Sequence, residues 1–224
     1  MLTKESLIKD LIKGGYLKTP DIIEAFEKID RLDFVPEKLK DEAYLNQPLP
    51  IGFGQTISQP LTVAFMLELL EPKPGEKILD VGAGSGWVSA LLAYIVGEKG
   101  NICAFERIPE ICEFGKKNVA KYNFIEKGLP VRQAGLPAGR HGIVGFFCGD
   151  ASKGYSEEAP YDKIIAGAAA EEIPSAWKEE LKIGGRLVMP VGHNITVLDK
   201  ISPSEFEKKE FFGFSFVPLV KDIN

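Results

Sequence analysis

The hydrophobic positions of this chain follow a helical period in some segments and an extended period in others. In residues 4–13 the apolar positions recur at helical spacing, and the pattern stops at a pair of glycines. A second helix is predicted to start at residues 19–21, where threonine precedes proline in the first turn. Residues 31–59 show no regular period and predict an irregular stretch. A third helix is predicted over residues 60–70 because proline opens a new apolar run there.

Short apolar strands alternate with helical segments in the rest of the chain. The predicted segments are 77–81, 87–97, 100–105, 109–122, 143–148, 161–167, 174–182 and 185–191. Repeated strand–helix units predict an α/β fold with a doubly wound, mainly parallel sheet and helices on both faces. Residues 195–201 and 211–220 have no helix between them, so they predict a closing antiparallel strand pair. We expect one domain over residues 1–224.

Composition and charge narrow the range of partners. The chain has 224 residues, of which 45% are hydrophobic and 26% charged, enough for one sizeable core. Its net charge is -5 and its pI about 5.3, so no general basic field attracts nucleic acid or an anionic membrane. No apolar run is long enough to span a bilayer, and the first ten residues are too polar for a signal peptide. We therefore expect neither a nucleic-acid nor a membrane partner.

The cysteines and histidines do not indicate a metal site. The chain has three cysteines (Cys103, Cys112 and Cys148) without metal-ligand spacing, and His141 and His193 lie far apart. Cys103 and Cys148 fall in apolar, strand-like runs, which predicts buried and reduced thiols. Reduced thiols favour a cytoplasmic protein over a secreted one.

The most informative motif is an apolar strand that runs directly into three alternate glycines. Residues 78–86 read ILDVGAGSG, and a helical pattern follows immediately. This arrangement lets a ligand approach bare backbone amides at a helix N-terminus. Twenty residues after Gly86, Glu106 ends a second apolar strand, where a carboxylate can accept hydrogen bonds from both hydroxyls of a ribose. The pair predicts a nucleoside cofactor, although such glycines also occur in ordinary strand-to-helix turns.

The residue before the first glycine indicates which nucleoside is bound. Asp80 would repel the pyrophosphate of a dinucleotide, but it suits a ligand that carries ammonium and sulfonium groups. This favours S-adenosylmethionine over NAD, and no evident acid or base for hydride transfer supports an oxidoreductase. Asp80 could instead cap the turn. The cofactor-binding residues predicted around this turn are Asp80, Gly82, Gly84, Ser85, Gly86 and Glu106.

A second informative region is the loop over residues 48–60, which reads PLPIGFGQTISQP. Glycines and prolines interrupt it, and hydroxyl and amide side chains fill the gaps. Long loops of this kind often carry functional residues. The alternative is a structural role, in which Ser58 or Gln59 caps the helix that begins at Pro60.

Taken together, these motifs resemble the protein-L-isoaspartate O-methyltransferase family, which methylates isoaspartyl carboxylates in damaged proteins. The segments that carry the resemblance are RLDFVP at 31–36, AY at 43–44, PLPIG at 48–52, GQTISQP at 54–60, the glycine loop at 79–87, GD at 149–150, AAA at 168–170, GGRLV at 184–188 and FVPL at 216–219. They cover nearly the whole chain. The loop ending in TISQP is specific to the family, whereas most methyltransferases of this fold share the glycine loop.

The resemblance implies a fold and a division of the chain. It implies a seven-stranded Rossmann-like methyltransferase sheet as the core over residues 71–224. Residues 1–70 then form an N-terminal helical and substrate-loop region. The implied cofactor is S-adenosylmethionine, and the implied partners are isoaspartyl-containing proteins and peptides. We expect a cytoplasmic monomer.

Chemistry and resemblance together assign the candidate catalytic residues. A carboxylate with a pKa near ~4 is already ionised at neutral pH, so methyl transfer to it needs no general base. The enzyme must align this nucleophile and remove water from it, and neutral hydroxyl donors suit that task. Ser58 and Thr56 are the predicted catalytic residues, and the resemblance implies the same role for Ser58. It also implies that Asp150 contacts the adenine amino group, with a turn or helix-cap role as the alternative.

The substrate site is predicted from the same resemblance. Ile57, Val217 and Pro218 are expected to contact the substrate, with the strand that ends in FVPL running beside it; an ordinary closing strand is the alternative. The sequence departs from the family at Asn46, usually aspartate, and at Ser215, often arginine. The connection 127–145 is longer than usual and predicts a surface loop. Two other functions stay open, namely methylation of an aspartate in a modified peptide precursor and a noncatalytic cofactor-binding module.

Overall fold

The computed structural model describes residues 2–125 and 143–219, so most of the 127–145 connection lies outside the described residues. Its first helices match the predictions, with α1 at Lys4–Lys13 and α2 at Pro20–Lys28. The side chain of Thr3 caps α1 by accepting a hydrogen bond from the Ser6 amide. The third predicted helix, α3, spans Pro60–Leu70.

The segment between α2 and α3 is more ordered than its sequence predicts. After two short 3₁₀ helices, Arg31–Phe34 and Glu37–Glu42, the chain forms an antiparallel hairpin of β1 (Leu49–Gly52) and β2 (Gln55–Ile57). The prediction of an irregular stretch is therefore wrong for the hairpin. Strands of four and three residues are too short to show a period, and the tip at Phe53 has a left-handed φ of 51°.

The remaining strands and helices follow the predicted alternation. They are β3 (Lys77–Val81), α4 (Trp87–Val96), β4 (Asn101–Glu106), α5 (Pro109–Ala120), β5 (Val144–Cys148), β6 (Tyr161–Ala166), α6 (Ser175–Glu180), β7 (Leu181–Val191), β8 (Asn194–Lys200) and β9 (Phe206–Phe212). The seven-stranded sheet has the order β5-β4-β3-β6-β7-β8-β9. Its pairs are parallel from β5 to β7, and β8 and β9 add antiparallel pairs. The predicted α/β fold is confirmed.

The last strand lies earlier in the chain than predicted. The closing strand is Phe206–Phe212 and not 211–220, and residues 217–219 instead run beside Ala169. The reason is that β9 is a largely exposed edge strand, and its sequence FEKKEFF contains four consecutive charged residues that hide an alternating pattern. The apolar run after β9 was predicted as part of the strand, but its residues 217–219 bond to Ala169 instead.

Two of the three cysteines form a disulfide, which the sequence does not predict. Cys112 on α5 and Cys148 at the end of β5 are bonded with an S–S distance of 2.01 Å, and Cys148 is exposed. The prediction of a buried, reduced thiol is wrong for Cys148 and holds for Cys103. The fold packs α5 against β5, so residues 36 positions apart in sequence become neighbours.

The order of the strands determines where a ligand can bind. β3 lies between β4 and β6, and the chain leaves it toward β4 on one side and returns at β6 on the other. In open α/β sheets, ligands bind at the carboxyl ends of the strands at such a switch point. The helix that follows β3, α4, is apolar on nearly all sides because it is packed between the sheet and α2. No helix within the described residues is long and apolar enough to cross a membrane.

Candidate active site

A cavity lies at the carboxyl ends of four parallel strands, β3, β4, β5 and β6. It encloses about 1130 Å³, part of it continuous with open solvent. It is lined by the segments that follow β3, β4, β5 and β6, by the hairpin strand β2 and by residues 217–219.

The glycine turn after β3 exposes its backbone to this cavity. Gly82 and Gly84 have left-handed φ values of 75° and 56° and both line the cavity. The amides of Gly82 and Ala83 donate hydrogen bonds of 2.9 Å to the Phe105 carbonyl, which ties the turn to β4. A left-handed turn of this kind needs glycine, because a side chain at such φ values is strained.

Gly86, also predicted to bind the cofactor, lies at the start of α4. It is the N-cap of α4 with a φ of 84°, but it does not line the cavity. A Cβ atom at this position would lie 2.6 Å from the Val119 side chain and 2.9 Å from the Gly115 carbonyl oxygen. Gly86 therefore allows the turn to pack closely against α5. Ser85 does line the cavity, and its carbonyl accepts a hydrogen bond of 3.1 Å from the Asn118 side chain.

Asp80 is a buried carboxylate in the cavity wall. It is 2% exposed and accepts a hydrogen bond of 2.6 Å from the Ser89 hydroxyl on α4, so it does not cap the turn. Burial, assisted by the nearby charge of Glu106, raises its pKa to about 6, although the Ser89 hydrogen bond acts in the opposite direction. Among the described residues, no lysine or arginine forms an ion pair with Asp80. A buried carboxylate without a protein cation favours a cationic ligand.

Glu106 also lies in the wall, and it is 7% exposed. Its Oε2 accepts a hydrogen bond from the Gly84 amide at 3.0 Å, and its Oε1 accepts one from the Ile108 amide at 2.9 Å. Each carboxylate oxygen has a further lone pair, so both can still accept hydrogen bonds from ligand hydroxyls.

Asp150 organises a turn in the cavity wall. It lines the cavity after β5, and its carboxylate accepts hydrogen bonds from the Ser152 amide at 2.7 Å and the Ser152 hydroxyl at 2.9 Å. It therefore organises a turn at the same place where a nucleobase could meet it. The acidic residues at the ends of the central strands fit S-adenosylmethionine, which carries positive charge and a ribose.

The hairpin brings the predicted catalytic residues to the same cavity. Thr56, Ile57 and Ser58 all line it, with Ile57 buried, Ser58 half-buried and Thr56 exposed. Within the described part of the chain, the Ser58 hydroxyl has no hydrogen-bond partner. It can therefore donate to a bound acceptor.

Neither Ser58 nor Gln59 caps α3 through its side chain. The N-cap is Gln59, whose side chain makes no capping hydrogen bond, and the Oδ1 of Asn46 accepts one from the Leu61 amide at 3.0 Å. The amide oxygen of Asn46, one of the two departures from the family, therefore acts as the side-chain acceptor at the N-terminus of α3. Ser215, the other departure, is exposed.

Residues 217–219 run beside Ala169 and line the cavity. The Val217 carbonyl accepts a hydrogen bond of 2.8 Å from the Ala169 amide, and the Leu219 amide donates one of 2.6 Å to the Ala169 carbonyl. Val217 and Pro218 line the cavity, as predicted for substrate contacts.

Sequence reasoning missed several residues of the cavity wall. They are mainly apolar and include Val63, Met66, Trp87, Val88 and Phe105. Nothing in their spacing distinguishes them from core positions. Arg107 and Ile108 also line the cavity, and their position directly after Glu106 could have indicated this. Within the described residues, no cluster of three or more potential metal ligands occurs.

Comparisons with known proteins agree with this geometry. The model of the protein-L-isoaspartate(D-aspartate) O-methyltransferase family matches residues 2–224. The protein-L-isoaspartate O-methyltransferase of Methanopyrus kandleri is 40% identical over 221 residues, which are 97% of this chain and 91% of that protein. The enzyme of the same name from Ignicoccus hospitalis is 41% identical over 223 residues, 98% of each chain.

Solved structures show the same fold. A protein-L-isoaspartate O-methyltransferase of Plasmodium falciparum, crystallised with S-adenosyl-L-homocysteine, matches with a TM-score of 0.81 at 22% identity and covers 98% of this chain and 99% of that one. A second structure of a protein-L-isoaspartate O-methyltransferase has a TM-score of 0.80 at 26% identity and covers 98% of this chain and 66% of that one.

Proposed function

The chain belongs to the protein-L-isoaspartate(D-aspartate) O-methyltransferase family, and from that premise we propose how its residues carry out the reaction. It is an S-adenosylmethionine-dependent enzyme that methylates the free carboxylate of L-isoaspartyl residues in damaged proteins. The observation that carries the proposed roles is that the loop with Ser58 and the carboxylates Asp80 and Glu106 line one cavity.

Six residues are proposed to hold the cofactor. When bound, S-adenosylmethionine supplies an electrophilic methyl group on a cationic sulfur. Glu106 accepts hydrogen bonds from the ribose hydroxyls, Asp150 contacts the adenine end, and Asp80 provides negative charge near the cationic end. Gly82, Gly84 and Ser85 leave room beside the backbone of the turn.

Ser58 and Thr56 are proposed to act on the substrate carboxylate. The Ser58 hydroxyl donates a hydrogen bond that aligns this carboxylate, and Thr56 lies at the exposed mouth of the cavity. A neutral donor orients the attacking oxygen without withdrawing as much of its charge as a lysine or arginine would. The carboxylate oxygen forms the new bond to carbon while the bond from carbon to sulfur breaks, and its electron pair stays on sulfur. No proton is transferred in this step.

The substrate main chain is proposed to lie between the hairpin and residues 217–219. Ile57, Val217 and Pro218 present apolar surface there and exclude water from the carboxylate. Recognition through the main chain suits an enzyme that accepts many different damaged sites. After methylation, the neighbouring amide nitrogen attacks the ester carbonyl and releases methanol. The resulting succinimide hydrolyses partly to normal aspartate, and no residue of the enzyme is needed for these last steps.

Two substitutions test this division of roles. Ser58→Ala should lower kcat by about tenfold or more, with the dissociation constant for S-adenosylmethionine nearly unchanged. Asp80→Ala should weaken cofactor binding. Ser204→Ala, at an exposed position away from the cavity, serves as the hydroxyl control. Equal loss of cofactor binding in the Ser58 and Asp80 variants would refute the proposed roles.

We also propose that residues 1–224 act as one domain and as a monomer. One hydrophobic cluster contains Leu7 and Leu67 from the N-terminal region together with Ile78 and Val188 from the sheet. A cytoplasmic location rests on the family resemblance, because the disulfide removes the argument from reduced thiols.

A further inference from the structure

Arg31 has an unusual set of contacts for a buried cation. It is 2% exposed and lies in the 3₁₀ helix before the hairpin. Its Nη1 donates hydrogen bonds to the carbonyls of Ala43 at 2.6 Å and Leu45 at 3.3 Å. Its Nη2 donates to the carbonyls of Gln47 at 3.0 Å and Ser58 at 3.1 Å. One guanidinium therefore holds the chain segment before the hairpin and the main chain of Ser58 after it.

The same guanidinium contacts the cofactor side of the cavity. Its Cζ lies 5.4 Å from the ring centroid of Trp87, within the range of a cation–π contact. Trp87 is the first residue of α4, directly after the glycine turn, and it lines the cavity. Arg31 thus connects the main chain of Ser58 to the first residue of α4.

Burying Arg31 in this way has a cost in stability. Among the described residues, no carboxylate forms an ion pair with Arg31, and its buried Nε has no hydrogen-bond partner. Burial lowers the pKa of Arg31 to about 9, so the side chain is still charged at neutral pH. A buried charge without a counterion is costly, and here only main-chain carbonyls and one aromatic ring compensate for it.

Resting on the role proposed above for Ser58, we propose that Arg31 is a positioning residue for methyl transfer. It fixes the main chain of Ser58 relative to Trp87, so that the serine hydroxyl meets the substrate carboxylate beside the cofactor. The planar guanidinium can bind several carbonyls at fixed angles, whereas the compact ammonium group of lysine has only three donors. A displacement of about 1 Å at a reacting group can cost ~10²-fold in rate.

The test compares Arg31→Met and Arg31→Lys with Arg186→Met as a matched control. Arg186 also binds a carbonyl, that of Leu69 at 3.0 Å, and pairs with Asp199, but it does not line the cavity. The measurements are kcat and KM on an isoaspartyl peptide and the dissociation constant for S-adenosylhomocysteine. All are made at a temperature at which circular dichroism shows every variant folded.

Arg31→Met is expected to lower kcat by about tenfold or more, with the S-adenosylhomocysteine dissociation constant within about threefold of wild type. Arg31→Lys should restore part of kcat because it keeps the charge and some of the donors. Arg186→Met should lower the unfolding midpoint and leave kcat near the wild-type value. A loss of kcat in Arg186→Met that matches the loss in Arg31→Met would show a general effect of stability and overturn the proposal.

A double-mutant cycle with Ser58→Ala distinguishes an effect of Arg31 on the position of Ser58 from a general effect on stability. If Arg31 acts through Ser58, Arg31→Met should lower kcat less than about threefold in the Ser58→Ala background. Equal losses in both backgrounds would overturn this proposal and leave the role of Ser58 intact. If Ser58→Ala alone does not lower kcat, the proposed role of Ser58 fails, and the role of Arg31 fails with it.

Discussion

The backbone amide of Gly84 donates a hydrogen bond of 3.0 Å to the Oε2 of Glu106. The residue proposed to bind the ribose therefore also holds the glycine turn in place. Its Oε1 accepts a hydrogen bond of 2.9 Å from the Ile108 amide. Both oxygens of the carboxylate are therefore held in place before a ligand binds. Such preorganisation lowers the entropy cost of binding.

Replacing the carboxylate of Glu106 should affect binding and stability together. Glu106→Gln keeps the shape but turns an NH₂ group toward one backbone donor. Hydrogen bonds to charged groups contribute about 1.5–3 kcal/mol each, so we expect cofactor affinity to fall by about tenfold or more and the melting temperature to fall. Isothermal titration calorimetry and thermal melts measure both. Glu110→Gln, at an exposed position on α5, is the control; equal effects in the two variants would contradict this role of Glu106.

Cofactor affinity should depend on pH through Asp80. Its pKa is raised from 3.8 to about 6, mainly by burial and then by the charge of Glu106, against the Ser89 hydrogen bond. A cationic ligand prefers the ionised carboxylate, so affinity for S-adenosylmethionine should fall as the pH falls from 7 to 5. The change should approach about tenfold per pH unit below the pKa. Titration calorimetry at several pH values tests this; a slope that persists in Asp80→Asn would contradict it.

The same shift has the opposite consequence for the protein without ligand. The folded pKa of Asp80 lies above its unfolded value, so this group stabilises the fold most below pH 4. That contribution is lost as the pH rises through about 6. Other groups also titrate in this range, so we compare the unfolding free energies of wild type and Asp80→Asn, in which their contributions cancel. Between pH 4 and 7 the difference should change in favour of the variant.

Asn46 should stabilise α3 as its cap. Asn46→Ala removes the acceptor for the Leu61 amide and should cost about 1 kcal/mol of unfolding free energy. Asn46→Asp keeps the acceptor and adds a negative charge near the helix N-terminus, so it should match or exceed wild type. Urea denaturation measures the difference. Gln47→Ala, at the next exposed position, removes no capping bond and should have little effect; a loss as large as that of Asn46→Ala would argue against the cap.

The Cys112–Cys148 disulfide should contribute strongly to stability. It closes a loop with a sequence separation of 36 residues. Chain-entropy arguments give roughly 3–4 kcal/mol for a loop of this size. Reduction with dithiothreitol should therefore lower the denaturation midpoint, and Cys148→Ala should do the same without reductant. Cys103→Ala is the control, because its response to dithiothreitol should match that of wild type. An unchanged midpoint on verified reduction would contradict this contribution.

The strands and helices of the central sheet could be predicted from the sequence because periodicity and glycine turns are local signals. The boundaries of β3 and α3 agree with the predictions. The hairpin could not be predicted, since its strands are too short and its tip at Phe53 requires a left-handed backbone. The edge strand β9 was misplaced because charged residues on an exposed edge hide its period.

Residues of the cavity lining could be predicted where a polar side chain indicates possible chemistry, and could not be predicted where packing alone brings a residue there. Asp80 and Glu106 are charged residues in otherwise apolar strands, and Ser58 is a hydroxyl residue in a long loop. Arg31 and Trp87 were not predicted for the site. The contacts of Arg31 are with main-chain carbonyls, which every residue has, so no partner residue type signals them.

The central claim is that this chain methylates isoaspartyl carboxylates, and one measurement tests it most directly. Two synthetic peptides that differ only in L-isoaspartate or L-aspartate at one position are incubated with the protein and S-adenosylmethionine labelled in the methyl group. We predict label on the isoaspartyl peptide alone, released by mild base as expected for a methyl ester. Label on neither peptide, with cofactor binding confirmed by calorimetry, would contradict the claim and direct attention to other acceptors such as modified peptide precursors.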